Sequence, residues 1–340
     1  MDRRIIGGKV RTQPAAAPAP GAAQVLHLTV DEAGAGQRLD NYLMRHLKGV
    51  PKTHVYRVIR CGEVRVNKGR ASADTRMRAG DRVRVPPVRL PEKAPAAAVP
   101  AREFEVLFED DRVLAIAKPP GVAVHGGSGV SFGVIEQLRR ARPRLDFLEL
   151  VHRLDRDTSG VLLLAKKRSA LTALQGQFRA RGTAKNYAAL VLGEWPAALR
   201  RIDVSLHKFV QADGQRRVRA STPDDPLAKR AISQVAVVAR YAGFTLLDVA
   251  ILTGRTHQIR VHLADAGHPI AGDAKYGDFE FNKALARGQA VAGSRYDGMF
   301  LHARRLCFDH PQGGQRIELE APLPPACQAL LRRLEPRVMP

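Results

Sequence analysis

One carboxylate in this chain stands in an unusual density of charge. In His152-Arg153-Leu154-Asp155-Arg156-Asp157-Thr158-Ser159-Gly160, Asp155 lies between the guanidinium groups of Arg153 and Arg156. An apolar segment, Phe147 to Val151, precedes the string, and a strand-like run, Val161 to Ala165, follows it. Opposite charges close by keep a carboxylate ionised at neutral pH. That suits a nucleophile or a base acting as the anion. It does not suit a general acid, whose pKa must be raised. Charge content alone favours a plainer reading, because Arg-Asp loops at strand ends are commonly surface ion-pair networks of little energy.

Likeness to a known family reverses that balance. His152-Arg153-Leu154-Asp155 with Thr158-Ser159-Gly160 resembles the signature of the pseudouridine synthases that modify ribosomal and transfer RNA, and matches every fixed position. The resemblance implies that Asp155 is the single catalytic carboxylate. Its target would be a uridine flipped out of the RNA stack, since the glycosidic carbon is not reachable inside a helix. Arg153 would fill the space the base leaves; pairing with a nearby carboxylate is its other reading, and both can hold. Asp157 falls at a variable position and takes no catalytic role.

Two further strings resemble the same family. In Lys185-Asn186-Tyr187-Ala188-Ala189-Leu190-Val191 the resemblance implies that Tyr187 stacks on the flipped uracil. A Tyr opening a strand is otherwise a core residue with its hydroxyl at the rim. Thr253-Gly254-Arg255-Thr256-His257-Gln258-Ile259-Arg260-Val261-His262 resembles the third motif throughout. It implies that Arg260 pairs with Asp155 and keeps it ionised, and that Arg255 touches RNA phosphate. His257 and His262 lie five apart on a predicted helix, on different faces, with no His-Glu-x-x-His arrangement. They are read as structural, and no metal is expected. Gly34-Ala35-Gly36 has Leu39 where a dinucleotide fingerprint needs its third glycine, and Gly126-Gly127-Ser128-Gly129 is read as a flexible connector. No cofactor is expected, because pseudouridylation is an isomerisation.

The elements that must hold these residues belong to a chain of 340 residues with 45% hydrophobic content, enough for two domains. Its net charge is +22, which implies a polyanionic partner, nucleic acid or an acidic membrane. No run of 18 apolar residues is present, so no membrane span is expected. Met1 to Gly8 lacks the apolar core of a secretory signal. The three cysteines, Cys61, Cys307 and Cys327, form neither a disulfide framework nor a zinc pattern. A reducing cytoplasm fits best.

Four segments are expected. Residues 1–24 read as a disordered tail, rich in Ala and Pro from Pro14 to Ala23. Residues 25–90 read as a small α/β module. Its stretch from Gln37 to Leu90 holds 14 Lys and Arg against four acids. Leu39, Tyr42, Leu43 and Leu47, then Val55, Val58 and Ile59, recur at helical spacing. Glu63–Asn67 and Arg82–Val85 alternate like strands. Gln37-Arg38-Leu39-Asp40 and Gly62-Glu63-Val64 with Val66-Asn67 resemble the RNA-binding module of a small-subunit ribosomal protein and of tyrosyl-tRNA synthetases. Arg38, Lys52, Arg57 and Arg60 are the RNA contacts expected there, to phosphate rather than to bases. Residues 91–101 read as a Pro/Ala linker. Residues 102–335 read as the catalytic domain. Its predicted helices are Gly133–Arg142, Ser169–Arg181 (stopped by Gly182) and Thr256–Ala266. Its hairpins are Phe104–Phe108 with Val113–Ala117, and Ile232–Arg240 with Phe244–Ile251. Hairpins outnumber strand–helix–strand units, so the fold class is α+β: a mainly antiparallel mixed sheet with flanking helices.

Three stretches narrow the resemblance to one branch, the type C enzymes of the large ribosomal subunit. They are His125 to Gly133, Phe147 to Val151, and Tyr276-Gly277-Asp278-Phe279-Glu280-Phe281. The implied partner is 23S ribosomal RNA or an assembling large subunit, with no membrane, and a monomer is expected. A synthase acting on transfer RNA or on other ribosomal sites, and a non-catalytic rRNA-binding assembly factor, are the alternatives.

Overall fold

The structure is a computed structural model describing residues 25–32, 34–47, 49–88, 99–126, 132–211, 215–291 and 294–336. The expected N-terminal tail, most of the expected linker and the glycines at 127 and 129 lie outside the described residues. The chain divides into two compact units, Met1–Pro95 and Ala96–Pro340.

The first unit is a four-stranded antiparallel sheet with two helices, Leu39–His46 and Lys52–Arg60. The strands run in the order Leu26–Thr29, Arg82–Val85, Arg65–Val66, Gly69–Arg70. The apolar positions read from periodicity make one core: Leu39, Tyr42, Leu43, Leu47, Val55, Val58 and Ile59 pack with Val64, Val83 and Val85. Strand Arg82–Val85 alternates exposed Arg with buried Val, the period-2 signature of a sheet with one wet face.

In the second unit a ten-stranded sheet carries the architecture. Along its main path the strands are Arg201–Asp203, Ile232–Tyr241, Phe244–Ile251, Ala184–Leu192, Leu301–Asp309, Ser159–Ala165, Val113–Lys118 and Val106–Glu109. Every pairing in it is antiparallel except that of Ser159–Ala165 with Leu301–Asp309. Ser159–Ala165 is buried at every position, so both faces must be covered. Val161, Leu163 and Ala165 pack with Leu171 and Leu174 of helix Arg168–Ala180. Leu162 and Leu164 point the other way, to Val134, Ile135 and Leu138 of helix Val134–Ala141.

Differences from the expected elements are local. The helix after the third motif begins at Gln258 rather than Thr256, with His257 left-handed at φ 53° in front of it. Helix Arg168–Ala180 ends one residue before the expected bound, at a left-handed Arg181 (φ 61°) that precedes Gly182. A hairpin, Ser205–Val210 with Arg216–Ser221, and helices Phe279–Ala286 and Pro325–Arg333 have no counterpart in the periodic pattern. No helix among the described residues is long and apolar enough to cross a membrane.

Candidate active site

The first motif is a short bridge, 151–158, from strand Glu149–Leu150 into strand Ser159–Ala165. Its apolar and small members anchor it. Val151 N–H donates to Leu163 O at 3.0 Å. The His152 ring stacks on Phe178, centroids 5.0 Å apart, and its Nε2 accepts from Leu163 N–H at 3.1 Å. Burial, aided by the charge of Lys185, pushes His152 down to about 4, so the ring is neutral at pH 7. Leu154 is buried. Ser159 Oγ lies 2.9 Å from His302 Nδ1, and His302 Nε2 lies 3.0 Å from Ala321 O. Gly160 has φ +111°, and a Cβ there would stand 2.2 Å from Ala303 O across the parallel pairing. Only glycine fits.

With those residues turned inward, Arg153, Asp155, Arg156 and Asp157 are left for solvent and the site. The two flanking arginines do not serve Asp155. Arg156 Nε pairs with Asp157 Oδ1 at 3.1 Å, and Arg153 is exposed with no carboxylate partner among the described residues. Lys118 holds the bridge from behind. It is 1% exposed, and its Nζ donates to Pro119 O, Val122 O and Arg156 O at 2.8–2.9 Å. Burial pushes its amine down to about 7, against the pull of the Asp157 and Asp155 charges.

Asp155 receives its charge partner from a distant segment. Arg260 Nη1 donates to Asp155 Oδ2 at 3.1 Å, across 105 residues of sequence. The other edge of the same guanidinium is taken by Asp273: Nε to Oδ2 and Nη2 to Oδ1, both 2.7 Å. Asp273 is 1% exposed and also accepts from the Lys275 and Tyr276 backbone N–H groups at 2.8 and 3.1 Å. Burial alone would raise the Asp273 carboxyl; the Arg260 guanidinium and the two amides outweigh it and hold it below the usual range. Burial alone would likewise lower Arg260, but Asp273, then Asp155, keep it above its ordinary value. The helix bearing Arg260 is fixed at its start by Gln258. Gln258 Oε1 accepts from Thr253 Oγ1 and Arg255 N–H, and its Nε2 donates to Ile232 O.

His257, taken from the sequence as structural, sits at the site: its left-handed backbone brings Nε2 to 3.8 Å from Asp155 Oδ2. Its Nδ1 lies 2.8 Å from Tyr276 Oη, which accepts from Val218 N–H. Burial lowers the His257 pKa, Asp155 opposing, so the ring is neutral at pH 7. His262 is buried between Ser233 and Val204 O, away from Asp155.

These groups border an open cavity of about 890 Å³. Asp155 and Arg260 line it with Tyr187, on strand Ala184–Leu192, and with Arg153, Arg255, Lys185 and Arg217. Tyr187 packs partly against the core, and burial, then the Asp155 charge, raise its hydroxyl pKa. The structure therefore brings Arg153, Asp155, Tyr187, Arg255 and Arg260 to one cavity. Arg38, Lys52, Arg57 and Arg60 belong to the other unit. There Arg38 is engaged by Asp40 (Nη2 to Oδ2 2.7 Å) and Arg57 by Glu63 (3.2 Å), while Lys52 and Arg60 are exposed. Asp273, His257, Tyr276 and Lys118 were not singled out by sequence as site residues. A lysine closing the apolar run Val113–Lys118 is a readable signal; an acid in a short loop after Gly272 is not. Among the described residues no three His, Cys, Asp or Glu side chains group to hold a metal.

Comparison with known proteins identifies the family. Residues 112–265 match the family model of RNA pseudouridylate synthase, and residues 37–83 match the S4 domain. The chain is 49% identical over 317 residues to ribosomal large subunit pseudouridine synthase C of Escherichia coli (strain K12), covering 92% of this chain and 96% of that protein. The protein of the same name from Haemophilus influenzae is 49% identical over 313 residues, 90% of this chain and 94% of the relative. Among solved structures, human RNA pseudouridylate synthase domain containing 4 superposes with TM-score 0.56 at 26% identity, over 69% of this chain and 94% of that one. With relatives this similar over nearly the whole length, and with the motif residues converging on one carboxylate, the chain belongs to the RNA pseudouridylate synthase family and carries an S4 domain ahead of the synthase domain.

Proposed function

We propose that this protein isomerises uridine to pseudouridine in 23S ribosomal RNA, with Asp155 as its catalytic group. The observation that carries the reading is the placement of Asp155. It is partly exposed to an open, cation-lined cavity, while its charge partner Arg260 is buried and held from behind by Asp273. A merely binding protein has no need of an accessible carboxylate braced by a buried guanidinium among cations that match phosphate. The large-subunit enzymes that the chain resembles over nine-tenths of its length support ribosomal over transfer RNA.

The roles follow from position. A uridine in a loop or bulge costs least to extrude. Arg153, exposed and without an acidic partner among the described residues, takes the place of the base in the stack. Tyr187 offers its ring to the uracil. Arg255 receives backbone phosphate. Asp155 acts on the sugar, by attack at C1′ or by removal of the 2′ proton. In either case the N1–C1′ bond breaks, the uracil turns, C5 bonds to C1′ as Asp155 leaves C1′ or returns the 2′ proton, the C5 hydrogen leaves to solvent, and N1 takes up a proton. Residues 25–90 serve as the RNA-docking module and 102–335 as the catalytic domain, a division supported by the S4 match and by the two compact units. The test is tritium release from 23S RNA labelled at uridine C5. Asp155→Asn should abolish it; near wild-type turnover would refute the assignment.

A further inference from the structure

The sheet of the N-terminal unit shows solvent a basic face with no carboxylate partner for its arginines among the described residues. Strand pairing sets Arg84 directly opposite His27 on one side and Arg65 on the other. Directly opposed residues share a face, with Cβ atoms about 5 Å apart, and like charges placed this way weaken the pairing. Arg82 and Arg84 alternate with buried Val83 and Val85, so both arginines face outward. Asn67 and Lys68, both at positive φ in the adjoining turn, complete a concavity with His27, Arg65, Arg82 and Arg84.

None of the four acids between Arg38 and Arg84 forms an ion pair with Arg65, Lys68, Arg82 or Arg84 among the described residues. Asp81 accepts from Arg78 N–H and Asn67 Nδ2. Glu63 pairs with Arg57 on the second helix. Asp40 accepts from Arg38 and Tyr56, and Asp74 from Ser72 Oγ. Among the described residues Arg65, Lys68, Arg82 and Arg84 have no carboxylate partner; Arg84 Nη1 donates only to the Glu63 backbone carbonyl at 3.2 Å. Four cations held on short strands and a tight turn, two of them in direct opposition, are a cost to the fold that a polyanion would relieve.

We propose that this sheet face is an RNA-backbone contact surface, separate from the helix-borne Lys52, Arg57 and Arg60. An anionic bilayer fits less well, because none of the six lining residues is apolar and interfacial binding needs an apolar face to insert. Without Phe, Tyr or Trp to stack on a base, the surface reads phosphate and is indifferent to sequence. The inference rests on the RNA-directed reading above and adds to it where the docking unit grips.

The test measures binding of a 23S RNA transcript to the full chain across a salt series. In an Arg65→Gln, Arg82→Gln, Arg84→Gln variant the slope of log affinity against log salt should become shallower by about 2 to 3, the share of three phosphate contacts. The corresponding triple Lys variant should keep the wild-type slope. Should loss of the Arg84 hydrogen bond unsettle the fold, the Arg65→Gln, Arg82→Gln pair spares it and should flatten the slope by about 1.5 to 2. A wild-type slope in folded Gln variants overturns the proposal. So does loss of binding to phosphatidylglycerol vesicles with RNA binding unchanged. A wild-type protein that neither binds nor modifies the transcript would instead overturn the RNA-directed reading beneath it.

Discussion

Asp273 touches no substrate in the proposed reaction, yet its replacement by Asn should damage both stability and turnover. The carboxylate grips one edge of the Arg260 guanidinium through Nε and Nη2, both at 2.7 Å, with the two side chains 1% and 7% exposed. Asn keeps one acceptor and turns an NH2 toward a guanidinium N–H. One charge-assisted bond becomes a donor–donor clash, and the buried cation keeps only Asp155 as counter-charge. Removing one partner of a buried pair costs about 3–5 kcal/mol. For a unit of this size that lowers the thermal midpoint by about 10 °C. Arg260 then loses the brace that sets its third nitrogen at 3.1 Å from Asp155. A misplacement of about 1 Å at a reacting group costs about 100-fold in rate. Single-turnover tritium release, measured well below the new midpoint, should fall by that order. RNA affinity should change less than the rate, because Arg153 and Arg255 of the cavity make no hydrogen bond to Asp273 among the described residues. Scanning calorimetry and the single-turnover assay together decide. A midpoint within 2 °C of wild type with a rate within about threefold would refute the idea that Asp273 positions Arg260.

Two other outcomes are expected. His152 is held near pKa 4 in the folded chain, against about 6.5 when unfolded. The unfolded chain therefore takes the proton first, and stability is lost as pH falls from about 6.5 toward 4, by about 3 kcal/mol in all. Urea unfolding at pH 7 and pH 4.5 should show this loss in wild type and a smaller one in His152→Gln; an identical loss in both would dismiss the buried ring as its source. At Tyr187 the ring, not the hydroxyl, should matter: Tyr187→Phe should stay within about threefold of wild type. Tyr187→Leu should lose the 1–3 kcal/mol of base–aromatic stacking, about 5- to 150-fold in kcat/KM. Equal activity in the Phe and Leu variants, measured by tritium release, would remove the stacking role.

Much of this was legible in one dimension because it repeats at short range. The core positions Leu39, Tyr42, Leu43, Val55 and Val58 follow helical spacing, and all are buried. Hairpin Ile232–Tyr241 with Phe244–Ile251 was marked by two strand-like runs around a turn that ends in Gly243. The elements missed are those whose pattern is weak. Strand Ser205–Val210 pairs with a strand rich in Arg, and helix Phe279–Ala286 carries a single fully buried residue, Leu285. The extra turn expected at Thr256 was lost because His257 is left-handed there, and that same departure delivers its ring to Asp155.

By itself the sequence determined the class of partner, the sheet-and-helix class of each unit and the residues of the three motifs, since charge, periodicity and local strings are properties of neighbours along the chain. That Arg260 serves Asp155 was implied by the resemblance of the third motif, but the contact itself is made in space. The two arginines beside it in sequence point outward, one to Asp157 and one to solvent, while Arg260 arrives from a helix after the sheet has folded. Asp273, which holds Arg260 in place, carries no local mark at all. An ion pair in a buried site depends on distance and desolvation, and only the tertiary structure sets those.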